Sequence, residues 1–380
     1  MVIVMNRINR IFLATLMTTV ITMCTILVPA MANDQKPLTV TDATGRSVII
    51  PAFVKRIVAL GGALRFVTYI QGLDLVVGVE ALEKKPLDNG RLYGLAVAEK
   101  VKNLPVIGEG GPGNKLPDFE QLISVHPDII VAVGLDKAQA ETIQEKTGIP
   151  VVLLGTGAMA TLDLDTTRKS LTLLGSVIGR AERAKTLTTY IDELAADLAR
   201  RTSVMTSSQA TRPTSYVGAI GFRGRHGITS TESRYAPLAW VNGNNVTDTL
   251  NQPGHLFIDQ EKLLLWNPEV IFLDAGGMDM VREDYRKNPA FYEMLKAVKD
   301  GRVFVMPPYN AYHTNIETAL ANAWFLGKTL YPQAFADIEL TGQADAIFDF
   351  FIGVKAYAHL KETGYGYGRV VFNNGEIRIR

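Results

Sequence analysis

A short pattern of acidic, apolar and proline residues occurs twice in this chain, and it limits the fold more than any other feature of the sequence. The first copy is PDFEQLISVHPDIIVAV at 117–133, and the second is DQEKLLLWNPEVIFL at 259–273. Aligned without a gap, Glu120 falls on Glu261, 141 residues later, and the prolines of the two copies coincide. The repeat predicts two related lobes.

Each copy predicts a short helix that leads into a buried strand. An acidic residue and apolar residues at helical spacing favour about two helical turns, and the residue before proline leaves the α region, which ends the helix. The β-branched and apolar run that follows is typical of a strand buried on both faces. We therefore expect an α/β fold of two Rossmann-like lobes, each with a central sheet flanked by helices.

The first 32 residues differ from the rest of the chain. Two arginines precede an apolar run at 11–28, and the AMA sequence at 30–32 has the small-x-small pattern of a secretory cleavage site. We predict an exported protein with cleavage after Ala32. A retained membrane anchor stays open, because the run approaches the length of a spanning helix. A lipid-anchored start at Cys24, the only cysteine, is disfavoured by the bulky Met23.

Composition and missing motifs narrow the function. A chain of 380 residues is long enough for two lobes, and a formal net charge of +1 gives no electrostatic reason to expect nucleic acid as a partner. The five histidines show no HxH or HxxxH spacing, so a bare metal site is not indicated. The sequence has neither a G-x-S-x-G elbow nor an HExxH motif. We therefore expect no catalysis, and an exported two-lobed enzyme remains the alternative.

The organisation of the chain follows from its periodicity. From 162 to 202 apolar residues recur at helical spacing, which predicts a long rigid helical spine between the lobes, with Gly175 and Gly179 as possible breaks. The expected domains are a signal peptide at 1–32, an N-terminal α/β lobe at 33–161, the spine at 162–202, a C-terminal α/β lobe at 203–340, and a C-terminal helix and tail at 341–380.

Three further segments have specific expectations. The stretch from 80 to 117, which carries Tyr93, is expected to be a long polar loop. The strand at 215–220 is expected to lead into a second polar loop. Residues 343–360 are expected to form a single helix. The final VVFNNGEIRIR predicts a hairpin around an Asn-Asn-Gly turn.

Together these motifs resemble a known family. They are T-D-x-x-G-R-x-V at 41–48, K-R-I-V at 55–58, the two E-x-L-x-x-x-x-P motifs and the spine between them. From about residue 38 to 332, the chain resembles the periplasmic substrate-binding proteins of ABC importers that take up ferric siderophores, haem and cobalamin. The resemblance implies a monomeric protein of the periplasm that holds its ligand in the cleft between the lobes and delivers it to an inner-membrane permease dimer.

The resemblance also implies where that permease docks. In the family a glutamate on each lobe pairs with arginines of the two permease subunits, and the matching positions here are Glu120 and Glu261. Arginine and carboxylate pair bidentately, and two distant pairs fix the orientation of a complex. The alternative is that each glutamate only complements the dipole of its helix.

Ligands of open α/β sheets bind beyond the carboxyl ends of the strands. Here the segments at 61–66, 221–235 and 307–315 and the loop that carries Tyr93 are expected to lie there. Basic groups among glycines suit an anion, and aromatic rings suit a planar or catecholate ligand. The side chains expected to bind ligand are Arg65, Tyr93, Arg223, Arg225, His226, Tyr235, Tyr309, Tyr312 and His313. The alternatives are solvated arginines on a surface loop and tyrosines that pack between the lobes.

The expected ligand is a transported ferric siderophore complex, with a corrinoid or haem as the second choice. No cofactor is expected, because the metal belongs to the cargo. A sensory or scavenging protein of the same fold, without a permease, is a third possibility.

Overall fold

The computed structural model describes residues 36–85, 90–111, 113, 115–157, 161–206 and 211–380. The expected signal peptide at 1–32 and Cys24 lie outside the described residues. Within the described ranges, no helix is both long enough and apolar enough to cross a bilayer.

The first lobe is built on a sheet of four parallel strands. Across the sheet the strands are β4 (Val76–Gly78), β3 (Ile57–Leu60), β5 (Ile129–Val133) and β6 (Val151–Leu154). Its helices are α1 (Leu64–Tyr69), α2 (Tyr93–Val101), α3 (Phe119–Ser124) and α4 (Lys137–Thr147), and a hairpin of β1 (Leu38–Thr41) and β2 (Ser47–Ile50) precedes it. Alternate residues of β5 belong to two different apolar clusters, so both faces of the sheet are covered.

The spine is a pair of helices. Helix α5 (Leu164–Val177) is followed after a three-residue turn by α6 (Ala181–Thr202). Of the two expected breaks, Gly179 lies in the turn with φ +69°, whereas Gly175 stays helical. A Cβ at Gly175 would lie 2.4 Å from the Cβ of Ala184, so this glycine lets the two helices approach closely.

The second lobe has a mixed sheet. Its central strands β7 (Thr214–Gly218), β11 (Val270–Asp274) and β12 (Val303–Met306) are parallel. The antiparallel strands around them are β8 (Ser230–Ser233) and β10 (Gly254–Phe257) on one side, and β13 (Gly368–Asn373) and β14 (Glu376–Ile379) on the other, while β9 (Asn244–Asn245) pairs with β7. The helices are α7 (Ala236–Ala239), α8 (Gln260–Trp266), α9 (Met278–Lys287), α10 (Pro289–Met294), α11 (Lys296–Lys299) and α12 (Ile316–Leu330).

The repeated motif folds twice into the same unit. Helices α3 and α8 each lead through the expected proline into a fully buried strand, β5 or β11. The residue before each proline, His126 or Asn267, has a left-handed backbone with φ of +45° or +42°, which ends the helix. The acidic residue after each proline binds the amide that starts the neighbouring strand: Asp128 accepts from Lys55 at 2.7 Å, and Glu269 accepts from Thr214 at 3.0 Å.

The C-terminal segment connects both lobes to the spine. Helix α13 (Leu340–Ile352) is followed by α14 (Tyr357–Glu362) and then by the expected hairpin, whose strand β13 pairs with β12. Phe351 of α13 meets the ring of Tyr69 in the first lobe edge-on at 5.1 Å, and Phe350 stacks on Tyr190 of the spine at 3.8 Å. The tail therefore ties the two lobes together.

Three local expectations are wrong. The stretch at 80–117 contains helix α2, because Tyr93, Val97 and Val101 recur four residues apart and are buried together on one face. The expected polar loop after β7 contains β8 and β10, whose polar residues are buried by pairing. The single helix expected at 343–360 is interrupted at Gly353, where φ is +72°. The fold class itself, α/β with two lobes, is confirmed.

Candidate functional site

A turn at 307–315 of the second lobe lies against the first lobe and forms a close contact with it. It follows β12, closes through a bridge between Asn310 and Thr314, and is held by the buried Asn315 amide, which donates to the carbonyl of Ala311 at 3.1 Å. Tyr312 and His313 have left-handed backbones, with φ of +49° and +67°. We call this segment the seam turn.

Glycines of the first lobe make room for the seam turn. A Cβ at Gly134 would lie 2.0 Å from the ring of His313, and a Cβ at Gly62 would lie 2.9 Å from the carbonyl oxygen of Tyr312. Only a residue without a side chain fits at either position. These glycines follow β5 and β3, so the contact is at the carboxyl ends of the strands, where ligands of α/β sheets bind.

Arg65 joins α1 to the seam turn. Its side chain is fully buried, and its Nη2 donates to the carbonyl oxygens of Ala311, at 3.0 Å, and of Tyr312. The guanidinium lies over the ring of Tyr93, 4.9 Å from the centroid. The Nε and Nη1 atoms of Arg65 are buried and have no hydrogen-bond partner in the described structure. These two donors face the contact between the lobes without being used.

Glu80 is a second buried charged group at this contact. The hydroxyl of Tyr312 donates to its carboxylate, and the amide of Gly61 donates to both carboxylate oxygens at 3.2 and 3.1 Å. Burial raises the pKa of Glu80 to about 7, with opposing hydrogen bonds from Tyr312 and the glycine amides. Burial lowers the pKa of His313 to about 4, so this imidazole is neutral at pH 7.

Tyr93 lies on helix α2 instead of on a loop, and it is fully buried. Its hydroxyl donates to the Glu83 carboxylate at 3.0 and 3.1 Å, and Arg91 approaches the same carboxylate at 3.4 Å. The face of its ring contacts the Arg65 guanidinium. Tyr93 is buried because it lies on helix α2, which was not predicted from the sequence.

Tyr235 and Tyr309 are packed inside the second lobe. Their rings meet edge-on at 5.5 Å, and both side chains are 2% exposed. The Tyr309 hydroxyl donates to Glu232, whose carboxyl is fully buried; burial raises its pKa to about 8. Both rings are therefore packed within one lobe and not between the lobes, which was the stated alternative, and any contact of either tyrosine with ligand stays a prediction.

A partly exposed group of rings lies next to the seam turn. It consists of Phe222, His226, His255 and Phe257, which we call the aromatic–histidine cluster. Phe222 stacks on His255 at 4.2 Å, and Phe257 meets both histidine rings edge-on at 4.9 and 4.7 Å. The loop that carries Phe222 borders the seam turn, since a Cβ at Gly221 would lie 3.8 Å from the Asn310 carbonyl oxygen.

Two arginines flank this cluster. Arg223 and Arg225 are exposed, and Arg225 lies 3.8 Å from Asp279, which is also exposed. The sequence predicted His226 and both arginines as a group, but it missed His255 and Phe257. Those two residues are on β10 and reach His226 only because β10 pairs with β8.

The glutamates of the repeated motif lie on the surface. Glu120 and Glu261 are exposed in the first turns of α3 and α8, whose N-termini are capped by Asp118 and Asp259. Neither glutamate forms an ion pair with any residue that the structure describes. Both carboxylates are therefore available to a partner.

A comparison with protein families identifies the chain. The family model for periplasmic binding proteins matches residues 84–310, more than half of the sequence. The chain belongs to the periplasmic binding protein family. Members of this family are periplasmic, bind small molecules and work with ABC permeases. A comparison with curated proteins gives no match.

Solved structures of other binding proteins share the fold. The molybdate-bound MolA protein of Haemophilus influenzae has a TM-score of 0.66 at 20% identity, covering 83% of this chain and 98% of its own. A haem-binding protein of Pseudomonas aeruginosa has a TM-score of 0.53 at 18% identity, covering 74% and 94%. An Fe3+-hydroxamate transport protein of Saccharomonospora viridis has a TM-score of 0.52 at 20% identity, covering 78% and 100%.

Within the described ranges, no three His, Cys, Asp or Glu side chains converge to hold a bare metal ion. The histidines of the aromatic–histidine cluster are a pair, with ring centroids 6.3 Å apart.

The buried Glu232 carboxyl predicts how stability depends on pH. Its folded pKa, about 8, is above its unfolded value, so the folded state holds a proton that the unfolded state releases between about pH 4.5 and pH 8. Stability from this group is therefore lost as pH rises through that window. In urea unfolding, Glu232→Gln should match wild type near pH 5 and exceed it by about 2–4 kcal/mol at pH 8.

The exposed Glu145→Gln serves as the control and should follow wild type at both pH values. Equal stability of Glu232→Gln and wild type at pH 8 would show that the carboxyl is not held as this structure has it.

Proposed function

We propose that this protein is the solute-binding component of an ABC import system, that it binds a ferric siderophore-type iron complex between its lobes, and that it acts without catalysis. The observation that carries the ligand class is the aromatic–histidine cluster with its two exposed arginines, next to the seam turn. The cluster offers ring faces and edges to a flat, unsaturated chelate, while the guanidinium groups attract its negative charge.

The position of these groups supports the proposal. Phe222, His226 and the two arginines follow the carboxyl end of β7, whereas His255 and Phe257 are on β10. Arg65, Tyr312 and His313 follow the carboxyl ends of strands in both sheets. A ligand between the lobes would meet basic and hydroxyl groups from one side and rings from the other. Solved structures of this fold include a haem-binding protein and a protein of an Fe3+-hydroxamate transport system, whose ligands are metal complexes.

A corrinoid or haem is the alternative ligand, and one observation favours it. The Nε2 atom of His226 contacts the Phe222 carbonyl oxygen, and the Nε2 atom of His255 contacts the Ser230 hydroxyl, each at 2.8 Å. The Nδ1 atom of each ring lies outside these hydrogen bonds. Histidine is one of the axial ligands that haem iron takes in proteins, and Nδ1 is the nitrogen that these two hydrogen bonds leave open.

Export and docking complete the proposal. The N-terminal 32 residues act as a cleavable signal, and the mature chain works as a monomer in the periplasm. Glu120 and Glu261, one on each lobe, pair with arginines of the two permease subunits. Two exposed carboxylates at equivalent places of a repeated motif fit a partner that is itself a dimer.

Removal of the two exposed arginines tests the ligand class. The Arg223→Ala/Arg225→Ala variant should bind an anionic ferric siderophore about 10–100-fold more weakly than wild type, because two charge-assisted contacts are lost. Binding is measured by tryptophan fluorescence quenching, in parallel with haemin and cobalamin. Arg200→Ala/Arg378→Ala, which removes two exposed arginines of the spine and tail, is the control and should bind like wild type. Unchanged affinity in the first variant would remove these arginines from the site.

Charge reversal tests permease docking separately from ligand binding. Glu120→Arg/Glu261→Arg should abolish uptake in cells and leave ligand affinity within about twofold of wild type, because arginine repels the arginines of the permease. Glu145→Arg/Glu293→Arg reverses one exposed glutamate on each lobe outside the repeated motif and should leave uptake intact. Persistent uptake by the first variant would contradict the docking assignment.

A further inference from the structure

The Glu80 carboxylate is bound in the way that a protein binds a small anion. Its two oxygens accept the Gly61 amide at 3.2 and 3.1 Å and the Tyr312 hydroxyl, and the neighbouring Gly62 amide also favours the charged form of the carboxyl. Both glycines have positive φ, +62° and +83°, so consecutive backbone amides turn toward one oxyanion. Backbone concavities of this kind recur in proteins as phosphate and anion sites.

Unused donors lie beside these amides. A Cβ at Gly62 would lie 3.3 Å from Nη1 of Arg65, so the guanidinium is next to the glycine pair. That Nη1 and the Nε of the same side chain are buried and without a partner within the described structure. Burial raises the pKa of Glu317 and the charge of the fully buried Arg65 lowers it, but no hydrogen bond or ion pair joins these two side chains in the described structure. A buried cation with two unsatisfied donors is costly unless an acceptor reaches them.

The Glu80 carboxylate is poorly suited to stay bound permanently to these glycine amides. It forms no ion pair with Arg65, and its burial penalises the charged form of the carboxyl. Exchange of Glu80 for an external oxyanion that also accepts from Nε and Nη1 would satisfy both groups.

We infer that the Gly61 and Gly62 amides, the Tyr312 hydroxyl and the Arg65 guanidinium form a binding site for an oxyanion, and that the Glu80 carboxylate occupies it as an internal competitor. This inference rests on the proposed function, since it assigns the anionic group of the ligand to a place at the contact between the lobes. The ligand class is a carboxylate, phosphate or tetrahedral metal oxyanion. Its source is either a free ion or a group on a larger chelate.

The competition makes binding depend on pH. A deprotonated Glu80 competes for the amides, so oxyanion binding should tighten as pH falls through about 7, the pKa of Glu80 in this structure. Two side chains act directly on Glu80: Glu83, whose charge raises this pKa, and Tyr312, whose hydroxyl donates to the carboxylate. Arg65 and His313 lie next to the amide pair, against Gly62. Glu109, in the adjoining glycine loop, is exposed. With a pKa of about 4, His313 stays neutral between pH 6 and 8, so it does not produce the dependence.

Calorimetric titration of the purified full-length protein tests the inference. Molybdate and sulfate, which keep their charge between pH 6 and 8, are the free-ion probes, and ferric citrate is the chelate with carboxylate groups. At pH 8, Glu80→Gln and Glu80→Ala should each bind an oxyanion about tenfold or more tightly than wild type, because the competing charge is removed. Wild type should gain about tenfold between pH 8 and 6, and Glu80→Gln should not change.

Two further variants separate the inference from general charge effects. Asp274 is another buried carboxyl: burial raises its pKa to about 7, and it accepts a hydrogen bond from the Gly276 amide at 2.7 Å. The Asp274→Asn variant should bind oxyanions like wild type. Arg65→Gln in the Glu80→Gln background should lose the gained affinity. Thermal unfolding of each variant confirms that it is folded.

The outcomes distinguish this inference from the proposed function. Tighter binding of molybdate and sulfate assigns the site to free ions, and tighter binding of ferric citrate alone assigns it to a group on a chelate; both support the competitor role. If Glu80→Gln binds no better than Asp274→Asn, the inference is overturned, even where wild type binds a ferric siderophore. A third outcome is that no ferric or tetrapyrrole ligand binds, while Glu80→Gln binds oxyanions more tightly than wild type. This outcome would overturn the proposed cargo and support the oxyanion site.

Discussion

The seam turn fixes how the two lobes meet, and the other features of the site depend on it. Its backbone enters a space that Gly62 and Gly134 leave open, and its carbonyl oxygens accept hydrogen bonds from the buried Arg65. Close packing of this kind is sensitive to single added carbons, because a protein interior has little free volume. The contact at the carboxyl ends of both sheets therefore positions Tyr312, His313 and Glu80 together.

Two further connections restrain the lobes around this contact. The α5–α6 pair of the spine forms one, and helix α13 forms the other, since its Phe351 packs on Tyr69 of the first lobe. Tyr69 also donates a hydrogen bond to the buried Glu317 at the start of α12. Because several contacts hold the lobes, we predict that they have little freedom to swing.

The sequence predicted the architecture better than the chemistry of the site. The repeat around Glu120 and Glu261 predicted both helix–strand units, because helical spacing, a proline stop and a buried apolar run are local signals. Glu80 was not predicted, because buried carboxylates are rare and its partner Tyr312 is 232 residues away. His255 was missed for a related reason: its contact with Phe222 depends on strand pairing that a polar stretch does not indicate.

Small-angle X-ray scattering of the mature protein, with and without a saturating ferric ligand, tests the central claim that three connections hold the lobes in one arrangement. A compact chain of this length has a radius of gyration of about 20 Å. If the lobes are fixed, ligand binding should change this radius by less than about 1 Å. A decrease of several ångströms would show that the lobes swing apart without ligand, which would contradict the seam turn as a fixed contact.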